Sequence, residues 1–189
     1  RCLLIRHEVL RTVYLSNDGI AEQQVLTNFE LPFTVSDLSH LTGQEQQRQL
    51  DKIKHDEATT PFSLTTDVML RICLAKLSDF EHHIFYTFHH IACDGWSVGI
   101  FNQELTTLYK AFSAALPNPL PPLEYQYADF AAWQRAWLCG DLLEKQIDFW
   151  REKLSGAPSV HALPLDKPRP ATLTYDGKAC TKLLPKEHA

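Results

Sequence analysis

Apolar positions follow two rhythms along the 189-residue chain. Between Val68 and Leu77, Val68, Leu70, Ile72 and Leu74 alternate with Met69, Arg71, Cys73 and Ala75, a period of two that predicts a strand. Both sets are largely apolar, so this strand is expected at the centre of a sheet, covered on both faces. After the polar break Ser78-Asp79-Phe80-Glu81, the stretch from His83 to Ile91 reads as a second strand paired with the first. The segments Leu10 to Leu15 and Ile20 to Leu26 flank Asn17-Asp18-Gly19, a turn signal that predicts a hairpin. The other rhythm steps by three and four. Val98, Phe101, Leu105, Leu108, Tyr109 and Phe112 define an amphipathic helix. Helices are also predicted from Tyr127 to Leu138 and from Leu142 to Leu154, the latter with Leu143, Ile147, Trp150 and Leu154 on one face. Thr42-x-x-Glu45 has the form of a capping box opening a polar helix through Asp56. Strands and helices in this order predict an α/β fold in the broad sense, an α+β two-layer sandwich.

Two segments, Leu116 to Pro122 and Pro158 to Pro170, carry four prolines each and read as connectors. Strand-like residues from Ala179 to Leu184 follow the second. This divides the chain into residues 1–170 and a short 171–189 piece that begins another unit. The chain opens inside an amphipathic stretch, Arg1 to Leu10, and stops in Leu183-Leu184-Pro185-Lys186-Glu187-His188-Ala189. Both ends read as cut, and a longer polypeptide is expected.

Charge removes one class of function. Eighteen Lys and Arg against 23 Asp and Glu leave a net −5, with no basic excess to hold a phosphate backbone. No run of about 18 apolar residues is present to span a membrane as a helix. The five cysteines are scattered without a CxxC pair, so neither a disulfide scaffold nor a structural zinc site is expected, and a reducing, cytoplasmic setting fits.

The densest chemistry is Phe88-His89-His90-Ile91-Ala92-Cys93-Asp94-Gly95-Trp96-Ser97, at a strand-to-helix junction where a rigid scaffold can present a loop. Adjacent histidines at a strand end point to opposite faces, so one can look into a cleft while the other packs. Parity groups His90 with Tyr86 and Phe88, and His89 with Phe85 and Thr87, without saying which side is the cleft. In one reading His90 is a general base or proton shuttle and Asp94 is structural, paired with an arginine. In a second, His89, His90, Cys93 and Asp94 bind a metal, although their spacing lacks the helical His-x3-His geometry of zinc enzymes. In a third, the histidines are packed and Asp94 merely caps a helix. The junction favours the first. Gly95 offers either a positive φ or a close approach to its backbone. Cys93 as a nucleophile would need a lowered pKa and a base, and reads as incidental.

The segment from His89 to Ser97 resembles the HHxxxDG signature of condensation domains of nonribosomal peptide synthetases. Two more segments agree in order and spacing. Arg6-His7-Glu8-Val9-Leu10-Arg11-Thr12-Val13-Tyr14 is similar to that family's RHExLRTxF motif, with Tyr14 for Phe. Tyr127-Ala128-Asp129-Phe130-Ala131-Ala132-Trp133 is similar to its YxDFAxW motif, with Ala132 where Val is common. Asp94-Gly95-Trp96-Ser97 after two histidines differs from the related epimerization and heterocyclization domains. The family's first motif would lie upstream of Arg1 and its later ones beyond Ala189, so the resemblance implies an incomplete domain.

The resemblance implies a chloramphenicol acetyltransferase-like subdomain, one of two lobes that enclose a tunnel. It implies peptide-bond formation between an acyl or peptidyl thioester and an aminoacyl thioester. Both are held on phosphopantetheine arms of upstream and downstream carrier domains, with an adenylation domain in the same or a partner polypeptide. No metal or bound cofactor is implied. His90 carries over as the catalytic residue, as base or as amine-positioning group. His89 supports it, and Asp94 pairs with an arginine, Arg11 slightly preferred over Arg6. Gly95 offers its N–H to the thioester carbonyl, and Trp96 and Ser97 are substrate-channel candidates. Two alternatives remain open: an acyltransferase using coenzyme A thioesters, and a catalytically silent condensation-like module that recruits partners. The aromatics Tyr127, Phe130, Trp133, Phe149 and Trp150 read as packing, and His7 and Glu8 as a solvated helix end.

Overall fold

The computed structural model describes residues 1–160, 163–168, 170–172 and 181–183. The chain folds as two compact units, Arg1–Cys139 and Gly140–Ala189. The sequence-based boundary at residue 170 and the strand expected from Ala179 to Leu184 fall largely outside the described residues.

The first unit opens with a short helix, α1 (Cys2–Arg6), and a 3-10 turn over Glu8–Arg11. The RHExLRTxF-like segment is therefore mainly helical, and Arg11 ends the 3-10 turn instead of starting a strand. Strands β1 (Thr12–Asn17) and β2 (Ile20–Val25) form the expected antiparallel hairpin. The pair Asn17–Ile20 closes it over Asp18 (φ 51°) and Gly19 (φ 81°). Positive φ at both central residues matches the right-handed twist of the flanking strands, and Asp-Gly is suited to it.

A second sheet has the order β3-β4-β5, from β3 (Phe33–Asp37), β4 (Leu70–Lys76) and β5 (His82–Phe88). As expected, β4 is central and pairs with β5; the pairing is antiparallel, with Leu70 opposite Phe88. The parallel partner β3, with Phe33 opposite Ile72, is an addition. Helix α2 (Gly43–Thr59) makes the crossover and runs three residues past the expected end at Asp56. Its Thr42 cap makes no side-chain hydrogen bond, and Glu45 accepts from Arg48 and Gln49. The predicted capping box is not formed there.

The α/β expectation holds, with helices on both faces of this sheet rather than on one. Leu50 and Ile53 of α2 pack near Ala75 and Phe85. On the opposite face Leu70, Ile72, Tyr86 and Phe88 meet Leu3 and Leu4 of α1 and Phe101 and Leu108 of α3 (Gly95–Ser113). The alternation along β4 thus serves two cores. Leu4, Met69 and Leu70 are fully buried. Helix α4 (Tyr127–Trp137) closes the unit. Asp129, in its first turn, reaches back to the Gln126 N–H at 2.8 Å. The second unit contains α5 (Gly140–Lys153). Ile147, Trp150 and Leu154, on or just past one face of it, are exposed rather than packed among the described residues, and Phe149 and Trp150 stand edge to face at 5.3 Å.

Candidate active site

Strand β5 delivers the histidine pair. Its ladder runs one bond past Phe88, where the His89 N–H donates to Met69 O at 3.2 Å. The chain then turns: Ala92 N–H donates to His89 O at 3.0 Å, and Ile91 N–H donates to the His89 ring Nδ1 at 3.1 Å. An accepting Nδ1 places the proton of the neutral ring on Nε2. The His89 ring stands edge-on to Phe62, with centroids 5.8 Å apart. That puts His89 on the α2 side, with Phe85 and Thr87, while Tyr86 and Phe88 pack against Phe101. His89 is thus tied in, and His90 lies exposed within the turn.

Asp94 follows as the N-cap of α3. Its Oδ1 accepts from the Ser97 N–H at 2.8 Å and from the Ser97 hydroxyl at 2.6 Å. These bonds, the hydroxyl's foremost and the backbone's next, hold the carboxyl below the usual aspartate range, with a smaller contribution from His90. The expected arginine partner is not there. Among the described residues Asp94 makes no ion pair, and it is exposed. Arg11 spends its donors on Leu4 O, Leu26 O and Glu8, and Arg6 on Glu104 and Pro121 O. A helix start needs acceptors for its first free N–H groups, and an aspartate in front of Gly95-Trp96-Ser97 supplies one locally. Capping, the third of the readings that the sequence allows, is the role the carboxylate performs.

Gly95 begins α3 without a positive φ, and a Cβ built there meets nothing within 4 Å. Neither backbone strain nor local packing requires glycine, which leaves close approach to its backbone as the reading. Trp96 is 83% exposed, and Ser97 is occupied as Asp94's donor. Cys93 is buried, and burial, reinforced by the Asp94 charge, pushes its thiol pKa up. That opposes a nucleophilic role. Among the described residues no group of three or more His, Cys, Asp or Glu is placed to hold a metal ion.

The other two motifs meet nearby. The His7 Nε2 donates to Glu104 Oε2 at 2.6 Å, and the Arg6 Nε donates to Glu104 Oε1 at 2.9 Å. Burial alone would raise the Glu104 pKa, but the hydrogen bonds from His7 and Arg6 outweigh it and the net shift is downward. His7 is therefore no solvated helix end; it and Arg6 fasten α1 to α3. Glu8 pairs with Arg11 at 3.2 Å. Gln126, ahead of α4, accepts from the Glu8 N–H at 3.1 Å and donates to Arg6 O at 2.9 Å. It joins the first motif to the third and has no sequence signal of its own. The α4 aromatics form a ladder on one another, with Trp133 and Trp137 stacked at 5.4 Å, each about half exposed. A cavity of about 120 Å³ is lined by His7, Leu10, Phe88, Cys93, Ser97 and Phe101, so the first motif and the histidine segment share a wall.

The site is thus a turn that presents an exposed histidine between a pinned neighbour and a capped helix. The family described as "Condensation domain" matches residues 1–189, and the chain belongs to that family. It is 43% identical over 178 residues to malpinin synthetase of Mortierella alpina, covering 93% of this chain and 2% of that protein. It is 39% identical over 182 residues to phosphinothricin tripeptide synthetase PhsC of Streptomyces viridochromogenes, covering 96% of this chain and 17% of that protein. The chain thus spans a small part of the curated relatives it matches. Among solved structures it resembles the X-domain from teicoplanin biosynthesis, with a TM-score of 0.77 and 30% identity over 89% of this chain and 37% of that one.

Proposed function

We propose that this chain contributes the histidine-bearing part of a domain that forms an amide bond between two carrier-bound thioesters. The amine nitrogen of the acceptor attacks the donor's thioester carbonyl, a C–N bond forms, the C–S bond breaks, and the freed pantetheine thiolate takes up a proton. The attacking amine must shed a proton on the way. His90 accepts it or holds the amine in line, roles worth about 10²–10⁴-fold for general-base help and more for positioning. The observation that carries the reading is the contrast within the pair: His89 is engaged by backbone and ring contacts while His90 is exposed. The Gly95 N–H, at the positive end of α3, faces the thioester carbonyl as charge builds on its oxygen. Trp96 and Ser97 border the path of the arm. Carrier domains on either side, an adenylation domain and a cytoplasmic setting complete this reading.

The test is His90→Ala in the full domain, assayed with acyl- and aminoacyl-loaded carrier domains. Amide formation is expected to fall by at least about 100-fold; an unchanged rate overturns the assignment of His90, whereas no amide formation by the unsubstituted domain would favour a silent recruiting module. Turnover with acyl-coenzyme A but not with loaded carriers would favour the acyltransferase reading. A tunnel between two lobes needs both, so the 189-residue chain by itself is expected to form no amide.

A further inference from the structure

The turn that carries His90 is braced from outside the three motifs. Arg71 projects from β4 toward the end of α2, where the last carbonyls of a helix lack intrahelical partners. Its Nη2 donates to Glu57 O at 3.1 Å and to Thr60 O at 2.7 Å, and its Nη1 donates to Pro61 O at 3.1 Å. Its Nε lies 3.7 Å from a Glu57 carboxylate oxygen. A planar guanidinium, with five donors in a fixed fork, can serve these acceptors together and still show a flat face. That face lies 4.0 Å from the centre of the Phe62 ring. Phe62 in turn meets His89 edge to face, at 5.8 Å and 80°.

Each contact narrows the next. The guanidinium is fixed by carbonyls of the α2 end and the loop after it. Phe62 is fixed by the guanidinium, and the orientation of the His89 ring is limited by Phe62. The ring's Nδ1 must keep its orientation to accept the Ile91 N–H, and that bond closes the turn around His90. An imidazole rotated about its Cβ–Cγ bond loses this acceptor and leaves the turn held by the Ala92 N–H bond to His89 O.

We propose that Phe62, clamped by Arg71, is a positioning residue that sets the His89 ring and through it the place of His90. The inference rests on the reading of His90 as the residue that meets the amine. Displacing a reacting group by about 1 Å can cost up to about 100-fold in rate, so the brace acts on turnover and leaves substrate affinity alone.

The experiment uses the full-length polypeptide with Phe62→Leu, Phe62→Tyr and Arg71→Lys. Turnover is measured on the loaded carrier pair that the unsubstituted protein uses fastest, and the His89 ring nitrogens are read by 15N NMR. Phe62→Leu is expected to lower kcat about 10- to 100-fold with KM for the acceptor carrier unchanged. The two His89 nitrogen signals should move from the pattern of one fixed tautomer toward an average. Phe62→Tyr, which keeps the ring edge, is expected to restore both, and Arg71→Lys to shift the nitrogen signals in the same direction as Phe62→Leu. The proposal is overturned if the His89 signals stay put in Phe62→Leu, if kcat is retained, or if Tyr is no better than Leu and KM rises with the fall in kcat. His90→Ala with full activity, alongside a shifted His89 pattern in Phe62→Leu, would remove the catalytic reading and leave the clamp standing.

Discussion

The Asp94 carboxylate answers to Ser97, which donates to it from both its backbone N–H and its hydroxyl, at 2.8 and 2.6 Å. A cap needs an acceptor oxygen and not a negative charge. Asp94→Asn is therefore expected to keep α3 folded, whereas Asp94→Ala frees its first amides, with faster hydrogen exchange at Ser97 as the readout. An ion pair with arginine predicts instead that Asn is as damaging as Ala.

The same carboxylate gives a pH dependence. Its folded pKa is lowered, so its contribution to stability is complete above the ordinary aspartate value of about 3.9 and disappears as pH falls through the lower folded value. Protection of the α3 N-terminus, followed by amide exchange down through this acid range, is expected to decline in the wild type. In Asp94→Asn, which has nothing to titrate there, the decline should be smaller.

Glu104 holds Arg6 and His7 together in a place where all three side chains are mostly buried. Glu104→Ala strips both donors of their acceptor. Hydrogen bonds to charged groups are worth about 1.5–3 kcal/mol, so a loss of about 2 kcal/mol is expected in urea unfolding at neutral pH. The folded pKa of Glu104 is lowered, so the difference between wild type and variant should shrink as pH falls below about 4.3.

Gln126→Leu keeps bulk but removes the bonds to the Glu8 N–H and Arg6 O. Two neutral hydrogen bonds correspond to about 1–2 kcal/mol. The loss is expected to appear as a lower thermal midpoint and as faster exchange at the start of α4.

Cys93 is buried, with its pKa raised by that burial, whereas Cys139 is exposed. Iodoacetamide at neutral pH is expected to modify Cys139 well before Cys93, as read by peptide mass mapping. Early labelling of Cys93 would show an accessible thiolate and reopen its role as a nucleophile.

Much of this arrangement is visible in the residues alone, for local reasons. Two-fold alternation places β4 between two cores, and Asp18-Gly19 fixes the β1–β2 turn, because both depend on neighbours in sequence. Strand β3 leaves little trace because it has five residues, follows Pro32 and lies at a sheet edge, where its positions are mostly exposed. The turn signal predicts a strand from Leu10, but Leu10 and Arg11 lie in a 3-10 turn, where the Arg11 guanidinium bonds Leu4 O and Leu26 O. Resemblance supplies an arginine for Asp94, and helix-start chemistry supplies Ser97. The contacts of Arg71 with Phe62, and of Phe62 with His89, join a loop residue to β4 and to the end of β5 and leave no periodic trace, so only the folded chain reveals them.

The parallel pairing of Phe33 with Ile72 has a bearing on how the molecule is made. The β1–β2 hairpin needs only its own short loop and can zip as soon as it emerges from the ribosome. By contrast β3 must wait, unpaired, until α2 and β4 have been synthesised, and the His89 amide finds Met69 O only once β5 has docked. The turn that carries His90 is therefore among the last parts of this sheet to assemble, and a nascent chain arrested before β5 displays an unsatisfied β4 edge for chaperones to guard.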